Sequence, residues 1–116
     1  PMINAYKNMV YIATYQSGKC LVEPSAIPIV QIDSYIKQLA KSDKFLFVGD
    51  GYLKYEKIIQ EKVANHIIRD PILSDFPSAQ ILGKLALQNL SQTYDWKTII
   101  PLYIRASEAE ENLKKI

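Results

Sequence analysis

One stretch of this sequence combines the pattern of a buried strand with residues that could contact a ligand. Residues 45–48 form a short apolar run typical of a strand buried on both faces, and Gly49, Asp50 and Gly51 follow it directly. Ligands of open α/β sheets bind outside the carboxyl ends of the strands. The turn is therefore a candidate ligand site. Asp50 also stands where the next predicted helix needs an N-cap, so its carboxylate has a competing structural role.

The other reactive side chains do not make up a recognisable catalytic set. His66 is the only histidine, which excludes a site with two histidine ligands, and no serine lies in a nucleophile elbow. Cys20 is the only cysteine, so no internal disulfide can form, and we interpret it as a small apolar residue within a strand. Two-metal nucleases need several carboxylates on central strands, and the predicted strands carry almost none. We predict no catalytic residues, no metal and no cofactor for this chain.

Length and composition are those of one soluble domain. A chain of 116 residues predicts a single domain over residues 1–116, with a core to about residue 106 and a helical tail over residues 107–116. No stretch approaches the roughly 20 apolar residues that a membrane span needs. We therefore expect a cytoplasmic protein with no membrane partner. The net charge of +2 neither requires nor excludes a nucleic-acid partner. We predict that most of the eight tyrosines pack in the core rather than stack on bases.

Dense β-branched and aromatic residues at the start of the chain predict an antiparallel meander. The predicted strands cover residues 9–15, 19–23, 26–30, 45–48 and 66–69. Pro24 is expected to end the second strand, and Pro28 makes the third an edge or irregular strand. The strand over residues 45–48 is expected to pair beside the one over residues 9–15, at the centre of the sheet.

Two amphipathic patterns predict the helices that cover the sheet. The first helix runs from Gln31 to about Ser42, with its apolar face at Ile32, Tyr35, Ile36, Leu39 and Ala40. The second helix follows Gly51, with its apolar face at Tyr52, Tyr55, Ile59 and Val63. Together with the strands they predict an α/β fold in which a mixed sheet, an antiparallel meander plus parallel strands, is flanked by helices. That is the ribonuclease-H-like order of elements.

The last part of the chain predicts one longer and one shorter helix. Residues 77–93 form the longer one, where Ile81 and Leu85 widen the apolar surface beyond a single stripe. Burial on two sides explains that excess, and a partner surface is the alternative. Residues 98–105 are predicted to be extended. Ser107 and Glu110 then make the capping-box pattern that starts a short helix.

Four short stretches resemble, in their order along the chain, the bacterial TsaB (YeaZ) family. They are Asn4-Ala5-Tyr6 with the strand after it, Val48-Gly49-Asp50-Gly51, Pro77-Ser78-Ala79, and Pro101-Leu102-Tyr103-Ile104-Arg105 followed by Ser107-Glu108-Ala109-Glu110. The last of these is the most specific. Asn4 and Tyr6 depart from the family, which usually has Asp and Arg there.

The resemblance covers the second half of the family's sequence. It implies that this chain is the C-terminal lobe of a two-lobe protein of the actin-like ATPase superfamily. Relatives with that fold bind nucleotide between the lobes, which makes Gly49, Asp50 and Gly51 candidates for the adenine side of the cleft. The C-terminal signature residues are expected to be structural: Pro101, Leu102, Tyr103 and Arg105.

The resemblance also implies partners rather than catalysis. TsaB-type proteins support a catalytic paralogue, TsaD, together with the ATPase TsaE, in transferring a threonylcarbamoyl group to a tRNA adenosine. The expected function is therefore a non-catalytic accessory subunit that meets tRNA only indirectly, with ATP or ADP bound in the intact complex. Two alternatives are open: a lobe of an active ATP-using enzyme of the same superfamily, and a free-standing domain that forms a homodimer through its third helix.

Overall fold

The computed structural model describes residues 1–39, 43–91 and 93–115, and of Glu108 the backbone alone. The chain divides into two compact units, Pro1–Phe76 and Pro77–Ile116. The first is a mixed α/β unit and the second contains two helices. A single lobe with a tail beginning at residue 107 stays a prediction.

The first unit begins with a three-stranded antiparallel sheet in the order β1–β2–β3. Its strands are β1 (Met2–Asn4), β2 (Met9–Gln16) and β3 (Lys19–Pro28). Ser17 and Gly18 join β2 to β3 with φ angles of 50° and 77°, which fits the twisted two-residue hairpin turn. The second and third predicted strands are one strand, so the prediction that Pro24 ends a strand is wrong. An edge strand tolerates proline because one side of its backbone has no partner strand.

The strand β1 has too few residues to show a sequence pattern, and it was not predicted. The strand beside the apolar run at 45–48 is β1, because the Met2 N–H donates to the Val48 carbonyl at 2.7 Å. The predicted pairing of that run beside residues 9–15 is wrong, since β2 lies between β1 and β3. On its other side the run continues as a parallel pair of β4 (Phe45–Leu46) with β5 (Ile67–Ile68). The Phe47 N–H extends this pair to the Ile68 carbonyl at 3.1 Å.

Two helices and the sheet enclose the core of the first unit. The helices are α1 (Ile32–Leu39) and α2 (Asp50–Val63). Both predicted apolar faces are confirmed, since the buried residues include Ile32, Ile36, Tyr52, Tyr55, Ile59 and Val63. Tyr35 and Leu39 pack against that core. Ala40 and Ser42, predicted at the end of the first helix, lie outside the described residues.

The second unit contains α3 (Ala79–Gln88) and α4 (Glu108–Leu113). The helix predicted over residues 77–93 is therefore shorter at both ends. Its N-cap is Ser78, whose hydroxyl accepts the Ile81 N–H at 3.4 Å, and Gln88 is its last residue. The capping box of α4 is confirmed: the Ser107 hydroxyl accepts the Glu110 N–H, and the Glu110 carboxylate accepts the Ser107 N–H.

Several aromatic and sulfur side chains are more exposed than the sequence predicts. Half of the eight tyrosines are exposed, so the prediction that most of them pack in the core is wrong. The exposed tyrosines are Tyr6, Tyr15, Tyr94 and Tyr103. Cys20 lies in β3 as predicted, with an exposed side chain. No helix in residues 1–39, 43–91 and 93–115 has the length and apolar character to cross a membrane.

Candidate functional site

The Gly-Asp-Gly turn joins the end of the β4 run to α2 and packs directly against β1. Gly49 has φ of 113°, a conformation that side chains rarely adopt. A Cβ on Gly49 would lie 2.0 Å from the Met2 carbonyl oxygen, and one on Gly51 would lie 2.9 Å from the Ile3 carbonyl carbon. The close approach of the β1 backbone therefore explains both glycines by packing alone.

Asp50 has a different partner from the one that the sequence predicts. It is the first residue of α2, and the N-cap position is Gly49, which makes no side-chain cap bond. The Asp50 carboxylate accepts the backbone N–H of Asn4 in β1 at 3.1 Å. The predicted N-cap role is wrong because β1, absent from the predicted elements, supplies a competing donor. Asp50 thus joins the start of α2 to the sheet.

Asn4 and Tyr6 are the residues that differ from the usual Asp and Arg of the resembling family. The Asn4 side-chain oxygen accepts the Tyr6 N–H at 3.0 Å, which closes an Asx turn. Tyr6, Lys7 and Asn8 follow with φ of 57°, 49° and 58°. The asparagine side chain stabilises such a turn by accepting the backbone N–H two residues further on, which gives Asn4 a local structural role.

An ion pair at the same turn was missed at the level of sequence. The Arg69 guanidinium binds Asp75 through two parallel bonds, Nη1–Oδ1 at 2.9 Å and Nη2–Oδ2 at 2.6 Å. Asp75 Oδ1 also accepts the Gly49 N–H at 2.8 Å, and Arg69 Nη1 donates to the Phe47 carbonyl. The guanidinium carbon lies 4.4 Å from the centre of the Tyr52 ring, within cation–π distance. Arg69 directly follows β5, and carboxyl ends of adjacent parallel strands meet at one edge. The position of Arg69 directly after a predicted strand was the sequence feature that could have placed it at this edge.

The charges of this cluster stabilise one another. Hydrogen bonding to Arg69, followed by the bond from Gly49, lowers the pKa of the Asp75 carboxyl. Hydrogen bonding to Asp75 raises the pKa of Arg69. The two side chains are 29% and 11% exposed, so solvent screens this pair less than a pair on the open surface. The pair is therefore ionised at neutral pH and fixes the turn from the β5 side.

The candidate nucleotide contacts of the turn are engaged with the protein itself. The Gly49 N–H, which a phosphate or carboxylate ligand would use at a helix N-terminus, is bonded to Asp75. Asp50 is bonded to Asn4, and Gly51 is buried. The structure therefore accounts for Gly49, Asp50 and Gly51 through internal contacts, and nucleotide binding by them stays a prediction.

His66, the only histidine, makes no described contact with this turn. His66 Nδ1 lies 2.7 Å from the Asp43 carbonyl oxygen, so its described partner is backbone rather than a carboxylate. In the part of the chain that the structure describes, no group of three or more histidine, cysteine, aspartate or glutamate side chains could hold a metal ion.

The C-terminal signature lies wholly within the second unit. Pro101, Leu102 and Tyr103 are exposed and have no regular secondary structure. Arg105 differs from them, since its Nη2 donates to Glu111 Oε2 at 2.8 Å and its Nε to Oε1 of the same carboxylate. This two-point pair ties Arg105, which has no regular secondary structure, to α4 across six residues.

A search against protein-family models found no match to this chain, and a search of curated proteins also found none.

Gly49→Ala tests the packing of the turn against β1. Overpacking costs about 1–3 kcal/mol and strain at positive φ about 1–2 kcal/mol, so the free energy of unfolding should fall by about 2–5 kcal/mol. Gly18→Ala is the matched control, because Gly18 has φ of 77° and open space at its Cβ position. It should cost only the strain, about 1–2 kcal/mol. Urea unfolding measures both, and equal losses for the two variants would contradict the close approach.

The Asp75–Arg69 pair should make the free energy of unfolding depend on pH in the acid range. A carboxyl with a lowered folded pKa contributes stability above its unfolded value, near 3.8, and loses it as the pH falls through the folded value. Unfolding free energy should therefore drop more steeply below about pH 4 in the wild type than in Asp75→Asn. Urea unfolding between about pH 2 and pH 6 measures the two slopes. Parallel slopes would show that Asp75 is not held ionised by this cluster.

Proposed function

We propose that this chain is the C-terminal, ribonuclease-H-like lobe of a TsaB-type accessory subunit, which supports a TsaD-type catalytic paralogue in the threonylcarbamoyl modification of tRNA adenosine. The observation that carries the proposal is the order of the strands in the first unit. It adds to the four sequence stretches, which by themselves are short.

The strand order follows from one backbone contact. The bond from Met2 N–H to the Val48 carbonyl connects the antiparallel sheet to the β4–β5 pair, giving β3–β2–β1–β4–β5. The chain at Met2–Asn4 and at 48–50 advances in the same direction, since Met2 contacts Val48 and Asn4 contacts Asp50. An antiparallel meander followed by parallel strands with helical crossovers supports a ribonuclease-H-like lobe.

The accessory role is supported by the internal hydrogen bonds of the polar groups at the carboxyl end of the sheet. Arg69, Asp75 and Asp50 bind the backbone or each other rather than converging on open space. A catalytic site would need such groups directed at a substrate. The proposal therefore assigns the chemistry to the TsaD-type paralogue, energy coupling to a TsaE-type ATPase, and ATP or ADP to the assembled complex.

Reconstitution tests this proposal. The full-length protein that contains this chain should co-purify with its TsaD-type paralogue and permit threonylcarbamoyladenosine formation on tRNA, measured by mass spectrometry of digested nucleosides. Omission of the protein should abolish product, and addition of an unrelated two-lobe kinase should not restore it. Failure to associate in the ATP, ADP and nucleotide-free states would refute the proposed function.

A homodimerising interaction domain is the second candidate, and the surface of α3 favours it. All ten residues of α3 are exposed, including Ile81 at 57% and Leu85 at 50%. These two side chains are four residues apart and share one helical face. An exposed apolar face of this kind marks interaction surfaces in soluble proteins.

Light scattering at micromolar concentration tests the second candidate. If α3 mediates self-association, the wild type should be a dimer and Ile81→Lys with Leu85→Lys should be a monomer, because two charges would be buried without partners. Gln80→Lys adds a charge to the same helix outside this pair and should remain a dimer. A wild type that scatters only as a monomer would reject this function.

A further inference from the structure

The first unit contains a cleft of about 630 Å³ that no part of the proposed function uses. It lies between the second half of β2, the start of the β4 run and α1. Because β2 is antiparallel to β1, the residues 14–16 that line it are at the amino end of β1. The lining therefore includes the end of the sheet away from the Gly49–Gly51 turn, and it also reaches Val48, the residue before that turn. Its volume is in the range of small-molecule sites.

Apolar side chains make up much of the wall of the cleft. Its apolar lining includes Ile12, Leu21, Ile36, Leu39, Phe45 and Phe47. Three of them, Ile12, Ile36 and Phe47, belong to the buried core, so the base of the cleft is continuous with the packed interior. An apolar ring or chain placed there would leave water and contact both the sheet and α1.

Two hydroxyl groups face each other in this lining. Thr14 Oγ1 and the Tyr35 hydroxyl lie 2.8 Å apart in a hydrogen bond and are partly buried. The two hydroxyls carry two protons, and the bond between them uses one, so one O–H remains to donate to a third group. Burial raises the pKa of Tyr35, so its hydroxyl keeps its proton at neutral pH.

The charged side chains of the lining balance each other. Asp43 and Lys44 are adjacent in sequence, opposite in sign and exposed. Solvent screens these two exposed charges, and burial lowers the pKa of the Pro1 amine in the same lining, which disfavours its charged form. The lining therefore gives neither an anion nor a cation a strong preference. A neutral ligand suits this balance better than a phosphate or a carboxylate.

We propose that this cleft binds a small neutral molecule with an apolar ring or chain and one amide or carbonyl oxygen. The oxygen accepts the free proton of the Thr14–Tyr35 pair, and the apolar body lies against Ile12, Ile36 and Phe45. The site is independent of the accessory function, since it uses none of the residues of the Gly49–Gly51 turn.

Titration of the ¹⁵N-labelled full chain with N-methylbenzamide tests the proposal, because this probe carries one ring and one amide oxygen. Saturable shift changes are expected at the backbone amides of residues 12–16 and 44–47. Ethylbenzene has the ring without the oxygen and should bind the wild type about three- to tenfold more weakly, the size of one lost hydrogen bond. This comparison uses only the wild type, so it does not depend on how a variant folds.

Substitutions at Thr14 and Tyr35 provide a second test with the same two probes. The double variant Tyr35→Phe with Thr14→Val removes both donors and should weaken N-methylbenzamide about three- to tenfold while leaving ethylbenzene unchanged. Either single variant keeps one O–H that can donate to the ligand and should retain most of the amide affinity. Tyr6→Phe removes a phenol hydroxyl from an exposed tyrosine outside the cleft lining and should leave both affinities unchanged. The proposal is overturned if the two probes bind the wild type equally, if the double variant retains full amide affinity, or if the shifts fall outside the cleft.

Discussion

The close approach of β1 to the turn at Gly49 is the constraint on which the first unit depends. At this point the Met2 N–H reaches the Val48 carbonyl, and the two glycines leave room for the β1 backbone where side chains would collide with it. The contact joins an antiparallel sheet to a parallel strand pair. It also sets where α2 begins, because Asp50 binds the Asn4 N–H from the first residue of that helix. Burial of Tyr52, Tyr55 and Ile59 follows from that placement.

Arg69 and Asp75 reinforce the same turn from the opposite side. The Asp75 carboxylate accepts the N–H of Gly49 just before α2, where the helix dipole favours negative charge. Arg69 then neutralises that carboxylate and lies over the Tyr52 ring. A partly buried carboxylate would be costly alone, and the guanidinium and the amide together satisfy it. The polar edge of this sheet is therefore internally compensated.

The two units are stabilised in different ways. The first has a continuous core of buried side chains that includes Val10, Ile32 and Ile59. In the second, the described helices rely on local bonds: the Ser78 cap, the box of Ser107 with Glu110, and the pair of Arg105 with Glu111. Caps are worth about 1 kcal/mol each, and short helices without a packed face are marginal in water.

The sequence by itself determined the features whose cause is local. The 3.6-residue spacing predicted the buried faces of α1 and α2, β-branched density predicted β2, and Ser107 with Glu110 predicted the start of α4. The sequence also predicted a glycine turn after the apolar run, but not the close approach of β1 that requires the two glycines. The site residues Gly49, Asp50 and Gly51 were identified as special by type and position alone.

Tertiary structure decided every feature that joins distant parts of the chain. β1 has three residues and shows no periodicity, so its contacts with Val48 and Asp50 could not be read from spacing. Gly49 pairs with Asp75, 26 residues away, and Thr14 pairs with Tyr35, 21 residues away. Neither pairing leaves a local signature, because nothing in the sequence around one partner indicates the other. Only the folded chain shows that the two glycines make room for a neighbouring backbone and that two hydroxyls meet at the edge of a cleft.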